Sequence, residues 1–136
     1  MAKSVVFDND FITVWCDQEN GIVSHEMHRP TSGQVLHDAL DAGLEAFCRV
    51  GATKWLSDDR MSGVLPEEDF EWGTSGWEGK VIAAGWKYWA VVPPASCREQ
   101  MCSQRLIDMY ANAGVVARAF SDPQMAEQWL IECTPV

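Results

Sequence analysis

The chain has 136 residues, 47% of them hydrophobic, with a formal charge of -10 from 20 acids against 10 bases. That length suits a single domain with a core of its own, spanning 1–136. The acidity opposes binding to nucleic acid or to anionic lipid, and no segment is long and apolar enough for stable membrane insertion.

The opening MAKSVVFDND carries one Lys and then acids, so no secretory leader is expected. The five cysteines, at 16, 48, 97, 102 and 133, are odd in number and form no CxxC pair. Free thiols in a reducing cytoplasm are the expectation.

Residues 10–17 and 21–28 are β-rich, and Asn20-Gly21 between them signals a hairpin. Residues 4–7 add at most a short extension. Pro30 stops the second strand. Thr31 with Gln34 gives a capping-box pattern, and Leu36, Leu40, Gly43, Leu44 and Phe47 recur at helical spacing up to Gly51. Residues 53–58 form the third strand and 59–63 a loop. Pro66 and the acids Glu67, Glu68 and Asp69 suit the start of a second helix. Gly73, Gly76 and Gly79 weaken that helix, which predicts a kink, a break or a close contact.

Residues 86–92 (WKYWAVV) read as a central strand, apolar on both faces. Ser96 and Glu99 open a third helix that Gly114 closes. Residues 115–120 form a fifth strand, and Asp122-Pro123 caps a last helix. The order β-β-α-β-α-β-α-β-α predicts an α/β fold. Its mixed, mostly parallel sheet of about five strands has helices packed on it, one antiparallel edge and right-handed crossovers.

Several segments resemble one family. They are Ala52–Arg60 (ATKWLSDDR), Leu65–Asp69 (LPEED) with Trp72, Gly85–Val92 (GWKYWAVV), and Phe120-Ser121-Asp122-Pro123 with Ala126 and Trp129-Leu130. Together they resemble the STAS fold in its SpoIIAA-like branch, that of anti-sigma-factor antagonists, which is in turn similar to CRAL-TRIO lipid-binding domains. The resemblance covers nearly the whole chain and implies a regulatory or ligand-binding role. Antagonists of that family carry a phosphorylatable Ser in an Asp-Ser-Ser-Gly motif at a helix start. Here the region reads Val64–Asp69 (VLPEED), with no hydroxyl at the helix start. Ser62 and Thr74 are the candidates for a modified residue in a phosphorylation-controlled antagonist.

His25 and His28 stand three apart on one strand and face opposite sides, a poor chelate, so no metal is expected. No cofactor is implied. Cys97 lies at a predicted helix start, where a thiol pKa falls. It is the candidate for a thiol-dependent enzyme or redox sensor, against the plainer reading of an ordinary first-turn cysteine. Asp59 and Arg60 follow a parallel strand at the sheet edge where α/β folds bind ligands. Of the seven tryptophans, Trp55, Trp86, Trp89 and Trp129 suit the core. Trp72 and Trp77, with Phe70, sit among the glycines, where they could line a pocket or an interface.

These residues converge on a non-enzymatic domain that binds a protein partner or a small apolar ligand. The expected site is the second helix and the loop before it: Asp59, Arg60, Phe70, Trp72 and Trp77. A homodimer would cover exposed aromatics.

Overall fold

The computed structural model describes residues 3–62, 67–94, 108 and 111–133, without the side chains of Phe70 and Thr74. One mixed sheet runs through it in the spatial order β1-β2-β3-β4-β5-β6. The strands are β1 (Lys3–Asp8), β2 (Ile12–Asp17), β3 (Ile22–Met27), β4 (Lys54–Asp58), β5 (Tyr88–Val92) and β6 (Val116–Ala119). β1, β2 and β3 form an antiparallel meander, and β3 to β6 are parallel.

The α/β class and the mixed sheet are as expected, but the sheet has six strands among the described residues, not about five. The extra one is β1, a full partner of β2 over Lys3–Asp8. Its turn is local chemistry: the Asn9 side chain accepts the backbone N–H groups of Phe11 (2.7 Å) and Ile12 (2.9 Å). A bulge between Val5 and Phe7 brings Val6 and Phe7 together onto the core.

The second hairpin closes differently from a two-residue Asn-Gly turn. Only Gly21 takes a positive φ, at 67°, while Asp17 accepts the backbone N–H of Asn20 at 3.1 Å and its side-chain amide at 2.8 Å.

Helix α1 (Gly33–Val50) follows β3 and ends on Gly51 in the left-handed conformation. The Thr31–Gln34 capping box does not form. The N-cap is Ser32, without a side-chain bond, and buried Thr31 donates instead to the Arg29 carbonyl at 2.7 Å. Helix α2 (Glu67–Trp72) passes through a π-helical turn, Gly73–Trp77, into α3 (Glu78–Ala83). The glycines thus mark a break in α-helical winding. They do not mark close packing, because a Cβ on Gly73, Gly76 or Gly79 would meet nothing within 4 Å.

The third helix of the sequence reading falls mostly outside the described residues; Asp108, Ala111 and Asn112 are helical. Helix α4 (Pro123–Glu132) starts as expected, with the Asp122 carboxylate accepting the Gln124 N–H at 2.9 Å.

Because β3, β4 and β5 succeed one another in space, crossovers of one hand must lie on one face. α1 and the α2–α3 segment do pack on the same face, over Val23, Trp55 and Trp89, which stand in register. Four tryptophans run through this core edge to face: Trp55–Trp77, Trp77–Trp86 and Trp86–Trp89, at centroid distances of 5.1, 6.3 and 6.1 Å. The opposite face carries a second core. There Leu56, Ala90 and Val92 are covered by Ala126 and Leu130 of α4. α4 packs on β4 and β5, so the antiparallel side of this face is left to line a groove.

Candidate functional site

The carboxyl ends of β3 and β4 place consecutive side chains on alternate faces. Asp58 ends β4 on the α4 face and is buried. It takes Arg60 as a two-pronged pair, Nε to Oδ1 and Nη2 to Oδ2, both at 2.9 Å. The Asp58 hydrogen bond pushes the Arg60 pKa up, fixing its charge. Asp59 turns to the other face, where its Oδ1 lies 2.7 Å from His25 Nε2. His25 Nδ1 is 3.0 Å from Trp55 Nε1. An indole N–H only donates, so Nδ1 accepts and Nε2 carries the proton donated to Asp59. His25 is 5% exposed with both ring nitrogens engaged.

A second histidine–carboxylate pair joins the starts of α1 and α2. The Asp69 side chain is 4% exposed. It accepts the Gly33 N–H at 3.1 Å and bonds His37 Nε2 at 2.8 Å, while His37 stacks on Trp72 at 3.9 Å and 4°. Asp69 therefore supplies the anionic cap for α1 that Thr31 does not. Replacing Asp69 with Ala should cost about 2 kcal/mol, since it strands a helix N–H and a partly buried imidazole. A urea midpoint unchanged by the substitution would show that Asp69 holds nothing.

The expected site residues divide between the two faces. Arg60 reaches the α4 face, while the partly exposed Asp59 turns to His25 on the helix-covered face. Trp72 is half-buried on His37. Trp77 is buried in the tryptophan chain, with its indole N–H donating to the Leu40 carbonyl at 3.0 Å. The side chains of Phe70 and Thr74, and all of Cys97, lie outside the described residues. Ser62 is half-buried, and its N–H donates to the Asp59 carbonyl at 3.0 Å. A phosphate there would sit close in sequence to two carboxylates, Asp58 and Asp59, an unfavourable setting. Cys16, Cys48 and Cys133 are free thiols, and burial pushes the pKa of Cys16 and of Cys133 up.

A groove of about 290 Å³ lies on the α4 face. Ser24 and Leu56 line it where the sheet passes beneath. Lys3 and Trp15 of the meander contribute on one side, and Gln124 and Glu127 of α4 on the other. Glu26, Asp58 and Arg60 line it at the carboxyl ends of β3 and β4. This is the position where open α/β sheets hold ligands, and its volume suits a small molecule.

Sequence reasoning reached Arg60 and missed Lys3, Trp15 and Glu127. One signal was present: Thr13, Trp15 and Asp17 alternate along β2 on the face away from α1. Among the described residues, no group of three or more His, Cys, Asp or Glu is placed to hold a metal ion, and no helix is long and apolar enough to cross a membrane.

The chain matches no protein-family model, no curated protein and no solved structure.

Proposed function

We propose that the chain is a non-enzymatic ligand-binding or regulatory domain of the STAS, SpoIIAA-like kind, acting through the groove on the α4 face. The groove at the carboxyl ends of β3 and β4 carries this reading. Five charged side chains line it, from Lys3, Glu26, Asp58, Arg60 and Glu127, which favours a small polar ligand over an apolar one. The structural use of His25, with no nitrogen left for proton transfer, supports a binding role. The free thiols support a cytoplasmic setting.

Native mass spectrometry of freshly purified protein, set against its denatured mass, tests the reading. A retained non-covalent mass that disappears in Gln124→Trp, which fills the groove from the exposed start of α4, is the expected result. Equal retention in both proteins would place the ligand elsewhere. The same spectra report a homodimer as a doubled mass.

The π-helical turn favours a second reading, in which α2 receives a protein partner, since such turns recur at functional sites. Glu67, Glu68 and Glu71 are exposed beside half-buried Trp72, which suits a basic partner. That reading needs Trp72→Ala to stay folded; an unfolded variant makes Trp72 a core residue and ends it.

A further inference from the structure

We infer that the groove on the α4 face is a site for a small organic diamine, and that Lys3 occupies its ammonium position in the free protein. The inference rests on the groove being the binding site proposed above.

The structure already shows an ammonium in place. Lys3 Nζ lies 3.1 Å from Glu127 Oε2 and 5.5 Å from the centroid of the Trp15 ring. A carboxylate together with an aromatic face is the pairing that recognises organic cations. Lys3 reaches this position from the edge strand of the sheet, and its side chain is 42% exposed, with that of Glu127 at 33%. An ion pair so open to water is weak, so an incoming amine displaces Lys3 at little cost.

A second ammonium also finds partners. Glu26 lines the same groove, with its carboxylate 4.0 Å from His28 Nδ1 and within electrostatic reach of the Arg60 guanidinium. Ser24, 7% exposed, lines the groove as well, and its hydroxyl has no hydrogen-bond partner among the described residues. Asp58 is already held by Arg60. With Lys3 displaced, the groove presents the carboxylates of Glu127 and Glu26 at once, and the chain's charge of -10 draws cations towards it. A diamine with a short apolar spacer satisfies both carboxylates and lays its methylenes along Trp15 and Leu56.

The probe is 1,4-diaminobutane at low ionic strength, followed through the Trp15 indole resonance in two-dimensional NMR, with that resonance assigned from Trp15→Phe. Glutarate is titrated in parallel. The expected result is a saturable shift with the diamine. It should be about fivefold tighter in Lys3→Ala, the factor an exposed ion pair is worth at its upper end, and at least fivefold weaker in Glu127→Gln. Lys3 is exposed and Glu127 half-buried, and the same spectra show whether each variant is folded. A diamine shift that ignores both substitutions overturns the inference. So does a response to glutarate alone, lost in Arg60→Ala, although that result keeps the groove as a binding site for anions. Silence towards both probes in the wild type and in Lys3→Ala overturns the inference and leaves the groove reading to the native mass spectra.

Discussion

Replacing Trp55 with Ala should remove about 4 kcal/mol of unfolding free energy, the scale for deleting a fully buried large aromatic side chain. Trp55 is 1% exposed. Its ring packs against Phe47 and Trp77 at centroid distances of 6.1 and 5.1 Å, and its N–H is the donor to His25 Nδ1. The substitution removes the end of the tryptophan chain that meets Phe47 and leaves a buried imidazole nitrogen unpaired. Small domains are stable by only about 5–15 kcal/mol, so a large share of the total is at stake. Trp55→Phe separates the two contributions. It keeps much of the packing but deletes the donor and shortens the ring, so about 1–3 kcal/mol is expected from the unpaired nitrogen and the lost contact. Urea unfolding followed by circular dichroism reads both variants. A Phe variant as stable as the wild type would mean that the indole–imidazole bond contributes nothing, and that His25 is held by Asp59 alone.

Gly43→Ala should destabilise by about 2 kcal/mol, although Gly to Ala inside a helix ordinarily stabilises. The reason is steric. A Cβ at Gly43 would fall on Trp55 Cη2, with Cζ2 and Cζ3 at 3.2 and 3.3 Å. A rigid buried ring has no room to retreat. The matching control is Gly79→Ala in α3, where a Cβ meets nothing within 4 Å; it should stabilise by about 0.5–1 kcal/mol. The two substitutions are chemically identical and should move the unfolding midpoint in opposite directions. Combining Gly43→Ala with Trp55→Phe should recover part of the loss, because the phenyl ring is shorter than the indole. Strictly additive effects would separate the two positions and contradict the contact.

Much of the fold was legible because its signals are local. Asn20-Gly21, Gly51 and Asp122-Pro123 each act within a few residues of where they stand, and each bounds an element where the structure has one. β1 was underestimated because its evidence is split. Lys3–Asp8 shows only a weak apolar pattern, and the turn that returns it to β2 depends on Asn9 bonding forward to Phe11 and Ile12. The cap of α1 was misassigned because Thr31 and Gln34 satisfy a local rule that a distant residue, Asp69, overrides.

The site was less legible than the fold for a related reason. Asp58, Asp59 and Arg60 are adjacent, so sequence grouped Asp59 and Arg60 with the aromatic helix that follows. Strand alternation then sends Asp59 to the helix-covered face, against His25, and Arg60 to the opposite one. The groove draws Lys3 and Trp15 from one end of the chain and Glu127 from the other. No spacing rule joins residues that far apart before the sheet has assembled.

The spatial order of the strands has a consequence for synthesis on the ribosome. No strand is inserted between two partners already in place; each newly emerging one meets an edge that already exists. The meander can form first, with α1 and β4 added to it, and the buried middle of the sheet does not wait for the carboxyl terminus. Vectorial folding of this kind shortens the time that β3, β4 and β5 spend as open, aggregation-prone edges. The last helix, α4, then arrives as a closing piece, completing one core and one wall of the groove in the same step.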